Sequence, residues 1–128
     1  RRLTRRYGQR VRLAQGSATD LHTTLGEPLS RYDAVFDFAI IHHIPHWPDA
    51  LAEIARVLTP GGRFYLDEVT ALALATPTYR LLFDHPAENR FTAEEFLSEL
   101  ARHHLVVDQQ YLTRRRGRYV LGVATYRP

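Results

Sequence analysis

The stretch YDAVFDFAIIHHIPHWPDALAEIARVLTPGGRFYLDEV, residues 32–69, decides the fold because a strand pattern, a helix pattern and a second strand pattern follow one another. Residues 34–41 are almost continuously apolar, with Asp37 as the one interruption. Such a run is typical of a parallel strand that is covered on both faces. Residues 63–69 predict the next strand. Two strands joined through a helix indicate an α/β fold.

The middle of this stretch predicts a helix that packs on the sheet. Leu51, Ile54 and Leu58 recur at helical spacing, which places them on one buried face. Pro48 suits the first helical turn, and we place Glu53 on the opposite, outer side of the helix.

Residues 60–62, Pro-Gly-Gly, follow the predicted helix and precede the next strand. Proline and glycine at that point end a helix and let the chain reverse. A phosphate-binding loop has the opposite polarity, because it runs from a strand through glycines to a helix N-terminus. These glycines therefore indicate a helix stop.

The flanking segments complete a predicted α/β fold, a Rossmann-like, mostly parallel sheet with a C-terminal antiparallel hairpin. They are a short strand VRLA at 11–14, a lid loop with one or two short helices at 70–91, a helix FTAEEFLSELARHH that begins with a capping box, and the hairpin segments LVVDQQYL and RYVLGVATY with Gly117 in or beside the turn.

Composition limits the classes of protein. The 128 residues, 45% of them hydrophobic, have the size of one globular domain. There is no membrane-length apolar run and no cysteine, so the sequence predicts a cytoplasmic protein without disulfides or thiolate metal sites. All 17 basic residues are arginines, and ten of them lie in two clusters at 1–12 and 114–118, but the net charge is only +3. Nucleic-acid binding is therefore disfavoured, and a basic RNA-binding accessory domain stays a further alternative.

Residues 32–68 resemble the central region of class I S-adenosylmethionine-dependent methyltransferases, most closely the small-molecule, type 11-like branch with a His-His loop. The matching positions are Asp33 and Val35 in the strand, His42 and His43 in the loop, the L-x-E-I-x-R-V-L helix and the Pro-Gly-Gly stop. The resemblance extends over essentially the whole chain. It implies S-adenosylmethionine as cofactor and methyl transfer to a small-molecule acceptor.

Two family elements that hold the cofactor do not occur in this sequence, namely the glycine-rich loop after the first strand and the acidic residue after the second. By the resemblance, residue 1 lies within the helix after the second strand. We therefore expect residues 1–128 to form a single, partial methyltransferase domain that lacks the first two family strands and the N-terminal glycine-loop half. Binding of S-adenosylmethionine by this segment alone is expected to be weak or absent.

The remaining cofactor contacts implied by the resemblance fall on Ser17, Ala18 and Phe38. Ser17 replaces an acid that in the family often meets the adenine amino group, and the N–H of Ala18 is expected to meet the adenine ring. Phe38 is expected at the carboxyl end of its strand, where open α/β sheets bind ligands.

The catalytic candidates are His43 and Glu68. His43 follows a core strand, and an imidazole there can accept the proton of the methyl acceptor. Only one of Asp67 and Glu68 can face the acceptor, since successive strand residues point to opposite faces. We predict Glu68, which resembles the acidic residue of the family, although a solvated strand end fits the spacing equally well. His43 and His46 have too few partners for a metal site, so no metal is expected.

The family strand order, 3-2-1-4-5-7-6, predicts an open apolar edge on the strand at 34–41, because its two neighbours on that side are missing. The segment VRLA can fill the vacancy, or a second copy of the chain can cover it. The connection is short for a parallel crossover, so we predict self-association through the edge of 34–41. A non-catalytic remnant or interaction module of the same fold stays open as an alternative.

Overall fold

The computed structural model describes residues 2–26, 32–82, 88–108 and 111–128. The helices are α1 (Arg2–Tyr7), α2 (Leu21–Leu25), α3 (Trp47–Val57), α4 (Ala71–Leu74), α5 (Pro77–Leu82) and α6 (Ala93–Arg102), with short 3₁₀ turns at Gly8–Arg10 and Ile41–His43. The strands are β1 (Tyr32–Phe38), β2 (Leu58–Val69), β3 (Leu105–Val106), β4 (Tyr111–Arg114) and β5 (Tyr119–Tyr126).

The strands form one sheet in the order β1-β2-β5-β3, and β4 pairs with the other end of β5. β1 and β2 are parallel, whereas β5 is antiparallel to β2, β3 and β4. This mixed α/β sheet confirms the Rossmann-like fold and the C-terminal hairpin. Gly117 has a φ of +81° and lies in the turn of that hairpin, as predicted.

Helices α3 and α6 cover one face of the sheet and build the core. Leu51 and Ile54 of α3 pack there as their spacing predicted, whereas Leu58 packs there from the start of β2. α6 begins with the predicted capping box of Thr92 and Glu95. The fully buried side chains of this core include Leu51, Leu58, Phe64, Phe91, Phe96, Leu100, Leu105 and Val120.

The opposite face of the sheet is open, so the prediction that 34–41 is covered on both faces is wrong. β1 ends at Phe38, and the side chains of Phe36 and Phe38 are 60% and 65% exposed. Phe36 stacks on Tyr65 with ring centroids 4.8 Å apart. Within the described residues, the depression on this face, of about 510 Å³, is lined by strand residues alone. The apolar character of this strand was predicted correctly, but no described helix covers the second face of the sheet.

The predicted strand VRLA is also wrong. Residues 11–14 lie outside the strands, and Leu13 is 55% exposed. A strand needs a neighbour for its N–H and C=O groups, and no described strand pairs with this segment. The vacancy beside β1 is therefore not filled by VRLA, and β1 is an edge strand in the described part of the sheet.

The helix ends before Pro-Gly-Gly is reached: Leu58, predicted as helical, is extended and begins β2, so residues 60–62 lie within that strand, which starts earlier than the predicted 63–69. α3 stops at Val57, and the β1–β2 register then jumps from Tyr32 opposite Leu58 to Ala34 opposite Arg63. Residues 59–62 make this excursion, in which Gly61 adopts a φ of +82°.

The segment after β2 contains the two short helices expected of residues 70–91, α4 and α5. The lid prediction also includes 83–87, which lie outside the described residues. No helix in the described parts of the chain has both the length and the apolar character needed to cross a membrane.

Candidate functional site

A buried carboxylate fixes the loop that follows β1. Glu68, near the end of β2, is 0% exposed. Its Oε1 accepts hydrogen bonds from the backbone N–H groups of Ile40 at 2.9 Å and Ile41 at 2.6 Å. Its Oε2 accepts from the N–H of Val69 at 3.1 Å and lies 2.7 Å from Nδ1 of His42. One side chain thus binds the start of the histidine loop to the central strand.

Asp37 is a second buried acid beside this one. It is 5% exposed, and its Oδ1 accepts a hydrogen bond at 3.2 Å from the N–H of Ile40, the same group that Glu68 binds. The two carboxyls therefore lie side by side. The other oxygen of Asp37, Oδ2, is buried and accepts no hydrogen bond from a described residue.

The two acids divide into one neutral and one charged group. Burial, followed by the neighbouring Glu68 carboxylate, raises the pKa of Asp37 to about 9, so Asp37 carries a proton at neutral pH. Burial by itself would also raise the pKa of Glu68, but hydrogen bonds from His42 and Asp37 outweigh it and keep that pKa below its usual value. The ionised Glu68 requires a proton on Nδ1 of His42 for their hydrogen bond.

The two histidines of the loop point to different environments. His42 is buried against Glu68, whereas His43 is exposed, with the two ring centroids 4.2 Å apart. His42, fixed by Glu68, thus places His43 at the carboxyl end of β1. Ligands of open α/β folds bind at this end of the strands.

The predicted residues fall into three groups. His43 and Glu68 belong to the same loop assembly, but Glu68 is sealed inside it, so the solvated strand end is excluded and its oxygens are already engaged. Asp67, half-buried, lines the open face of the sheet. Phe38 lies on the same open face, and Ser17 and Ala18 lie in the separate segment before α2.

The segment that contains Ser17 is held by the Ser17 hydroxyl and by Glu53 of α3. Ser17 Oγ lies 2.7 Å from Thr19 Oγ1 and accepts from the Thr19 N–H at 3.2 Å. Glu53 Oε2 accepts from the N–H groups of Leu21 at 2.9 Å and His22 at 3.1 Å. Glu53 lies outside the apolar core, as predicted, but it is only 7% exposed, because this segment covers that side of α3.

Asp37 and the clamp function of Glu53 are the features that sequence reasoning missed. A lone acid within an apolar strand is a signal for Asp37, since burying a carboxyl without a partner is costly. No pattern in the sequence identified the partner of Glu53. Within the parts that the structure describes, no group of three or more metal-ligating side chains is placed to hold a metal ion.

The histidine loop and the sheet agree with a known family. A family model described as a methyltransferase domain matches residues 1–66, just over half of the 128 residues. No curated protein matches the chain.

Solved structures share the fold at low sequence identity. The 1,6-didemethyltoxoflavin-N1-methyltransferase of Burkholderia thailandensis, solved with 1,6-didemethyltoxoflavin and S-adenosylhomocysteine, is 22% identical with a TM-score of 0.67, over 99% of this chain and 56% of its own. An O-methyltransferase family protein of the same species is 16% identical with a TM-score of 0.68, over 94% of this chain and 37% of its own. The chain thus spans about half, or less, of the length of these proteins. On the family match and the shared fold, the chain belongs to the methyltransferase domain family.

Proposed function

We propose that this chain is a segment of an S-adenosylmethionine-dependent methyltransferase that acts on a small-molecule acceptor. The observation that carries the proposal is the Glu68 clamp, which holds His42 inside and leaves His43 exposed at the carboxyl end of β1. Family membership supports the reaction class, and the similar Burkholderia protein with bound 1,6-didemethyltoxoflavin supports a small acceptor.

The described residues offer contacts to only one part of S-adenosylmethionine, its adenine end. Ser17 and Ala18 are the proposed neighbours of the adenine, but the hydroxyl of Ser17 is already bonded to Thr19, which leaves a weaker partner than the acid of the family. Phe38 offers an exposed ring. The cofactor, when bound, supplies an electrophilic methyl group. A glycine-rich loop in a preceding segment is proposed to hold the rest of it, so residues 1–128 alone should bind it weakly or not at all.

His43 is the proposed acceptor of the proton that the methyl acceptor loses. A histidine side chain exchanges protons near neutral pH, and this one is exposed in a loop whose backbone is fixed. Glu68 acts as a positioning residue, because its oxygens are occupied by the loop N–H groups and by His42. Methyl transfer depends mainly on such positioning.

The variant His43→Gln in the full-length enzyme tests this role. We expect kcat to fall by roughly 100-fold and its acidic limb to disappear from the pH profile, with KM for the acceptor little changed. His46→Gln is the matched control, since His46 is also exposed and lies at the start of α3. A pH profile that is the same in His43→Gln as in the wild type would exclude the base role.

A second function, self-association through the β1 side of the sheet, is favoured by the open face. Phe36, Phe38 and Ile40 are 60%, 65% and 56% exposed, and β1 is an edge strand among the described strands. An apolar edge of this kind pairs readily. We expect residues 1–128 to sediment as a dimer at tens of micromolar, and a monodisperse monomer would contradict this.

Calorimetry separates the enzyme from the non-catalytic remnant. Full-length protein that binds S-adenosylmethionine with micromolar affinity agrees with the enzyme. A full-length protein that binds no cofactor yet still self-associates would identify an interaction module instead.

A further inference from the structure

A separate cavity lies where β2 ends and the histidine loop begins. Its volume is about 540 Å³. Its lining comes from four parts of the chain: the loop after β1, strand β2, helix α5 and the β4–β5 hairpin. The residues that matter for its chemistry are Ala39, Asp67, Tyr79, Arg114, Arg115 and Tyr119.

The arginine turn on this cavity is anchored. Arg115, Arg116 and Gly117 have φ values of +49°, +59° and +81°, a region that costs energy for arginine and that tends to persist at functional sites. Thr70, which is 0% exposed, donates from Oγ1 to the carbonyl of Gly117 at 2.7 Å and from its N–H to the carbonyl of Arg118 at 3.0 Å. The turn is thus bonded to the residue that follows β2.

The cavity is also lined by two tyrosine hydroxyls. Tyr79 and Tyr119 have their oxygens 3.3 Å apart. The hydrogen bond to Tyr119, with burial, raises the pKa of Tyr79 to about 12, so the hydroxyl stays a donor at neutral pH.

The lining of the cavity carries more positive than negative charge. Two arginines face one acid, Asp67, and neither Arg114 nor Arg115 forms an ion pair in the described parts of the chain. An arginine guanidinium matches the geometry of a carboxylate, and charge-assisted bonds of this kind are the strong ones.

We propose that this cavity binds the carboxylate of an anionic methyl acceptor, with Arg114 and Arg115 as its cationic partners and one hydroxyl of the Tyr79–Tyr119 pair as a hydrogen-bond donor. The inference rests on the proposed function, in which His43 accepts the proton of the methyl acceptor. The cavity lies next to that histidine loop, since Ala39, which precedes the loop, lines it. It narrows the acceptor class to small molecules that carry a carboxylate.

The test uses the full-length protein and a pair of probes of equal shape, benzoate and its neutral analogue benzamide, titrated by NMR. Benzoate is expected to bind at least tenfold more tightly than benzamide. The variant Arg115→Gln should weaken benzoate binding by roughly tenfold, the range of one lost charge-assisted bond, and leave benzamide unaffected. Arg116→Gln is the matched control, because Arg116 has the same backbone conformation but does not line the cavity.

Each of the following outcomes overturns the inference. Equal affinity for benzoate and benzamide would show that the charge plays no part. Equal losses of benzoate affinity in Arg115→Gln and Arg116→Gln would indicate nonspecific attraction to positive charge. Salt-sensitive RNA binding that both variants weaken would indicate the same. A loss of S-adenosylhomocysteine affinity in Arg115→Gln, with benzoate unaffected, would assign the arginine to the cofactor. Unchanged methyl transfer by a protein that ignores benzoate would refute this inference and leave the proposed function intact.

Discussion

Replacement of Asp37 by asparagine is expected to remove a pH dependence of stability that the buried acid imposes. The pKa of Asp37 is about 9 in the folded chain, against an ordinary value of 3.8. Between these values the folded state holds one more proton than the unfolded state, so the free energy of unfolding falls as pH rises. The slope is at most about 1.4 kcal/mol per pH unit, which gives a loss of up to about 3 kcal/mol between pH 6 and pH 8.

Glu68 does not contribute to this slope. Its pKa is lowered from 4.5, so the stability it provides is present above that value and is lost only in acid, as pH falls through the folded pKa. The asparagine side chain keeps an oxygen for the N–H of Ile40 and places an amide N–H beside the Glu68 carboxylate, so the variant is expected to fold.

Urea unfolding of the two proteins at pH 6, 7 and 8 is the assay. The wild type should lose stability steadily over this range, whereas Asp37→Asn should change by less than about 0.5 kcal/mol. Asp33→Asn is the matched control, since Asp33 is an exposed acid of the same strand, and it should follow the wild type. If Asp37→Asn retains the wild-type slope, Asp37 is not the neutral acid and the reasoning is refuted.

Three further substitutions test the local structure. Glu53→Gln should speed amide hydrogen exchange at residues 21 and 22 and destabilise the chain by about 1–2 kcal/mol, because a charged acceptor of two backbone bonds is lost; unchanged exchange there would contradict the clamp. Gly62→Ala should cost about 2 kcal/mol in denaturant unfolding, since its Cβ would lie 2.8 Å from the carbonyl oxygen of Thr59. Thr92→Ala should cost about 1 kcal/mol through loss of the N-cap of α6, whereas Ser98→Ala, exposed within that helix, should change stability little.

Periodicity made the centre of the fold predictable. The order β1, α3, β2 follows from an apolar run, a helical stripe and a Pro-Gly-Gly stop, all of which are local properties of residues 32–69. The failure at VRLA has a physical cause, because a strand is defined by its neighbour and composition does not supply one. The open face of β1 has the same cause, since apolar residues indicate burial but not the element that buries them.

The polar part of the site was predictable only in part. His43 and Glu68 could be selected from their places at the ends of strands, but the partners of Glu68 include backbone N–H groups of a loop that comes before it by almost thirty residues of chain. Backbone donors leave no mark in a sequence. The burial of Glu53 and the pairing of Asp37 with Glu68 escaped prediction for the same reason, because tertiary contacts decide them.

The end of β2 sets the relation between the two proposed parts of the acceptor site. Glu68 binds the histidine loop, and Thr70, two residues later, binds the arginine turn. Both side chains are 0% exposed, so neither anchor can move without opening the core. Thr70 directly follows β2 and is still extended, and residues two apart in extended backbone lie roughly 7 Å apart. This distance fixes the two loops relative to each other. We infer that the acceptor side of the proposed site is built within this chain before any cofactor binds.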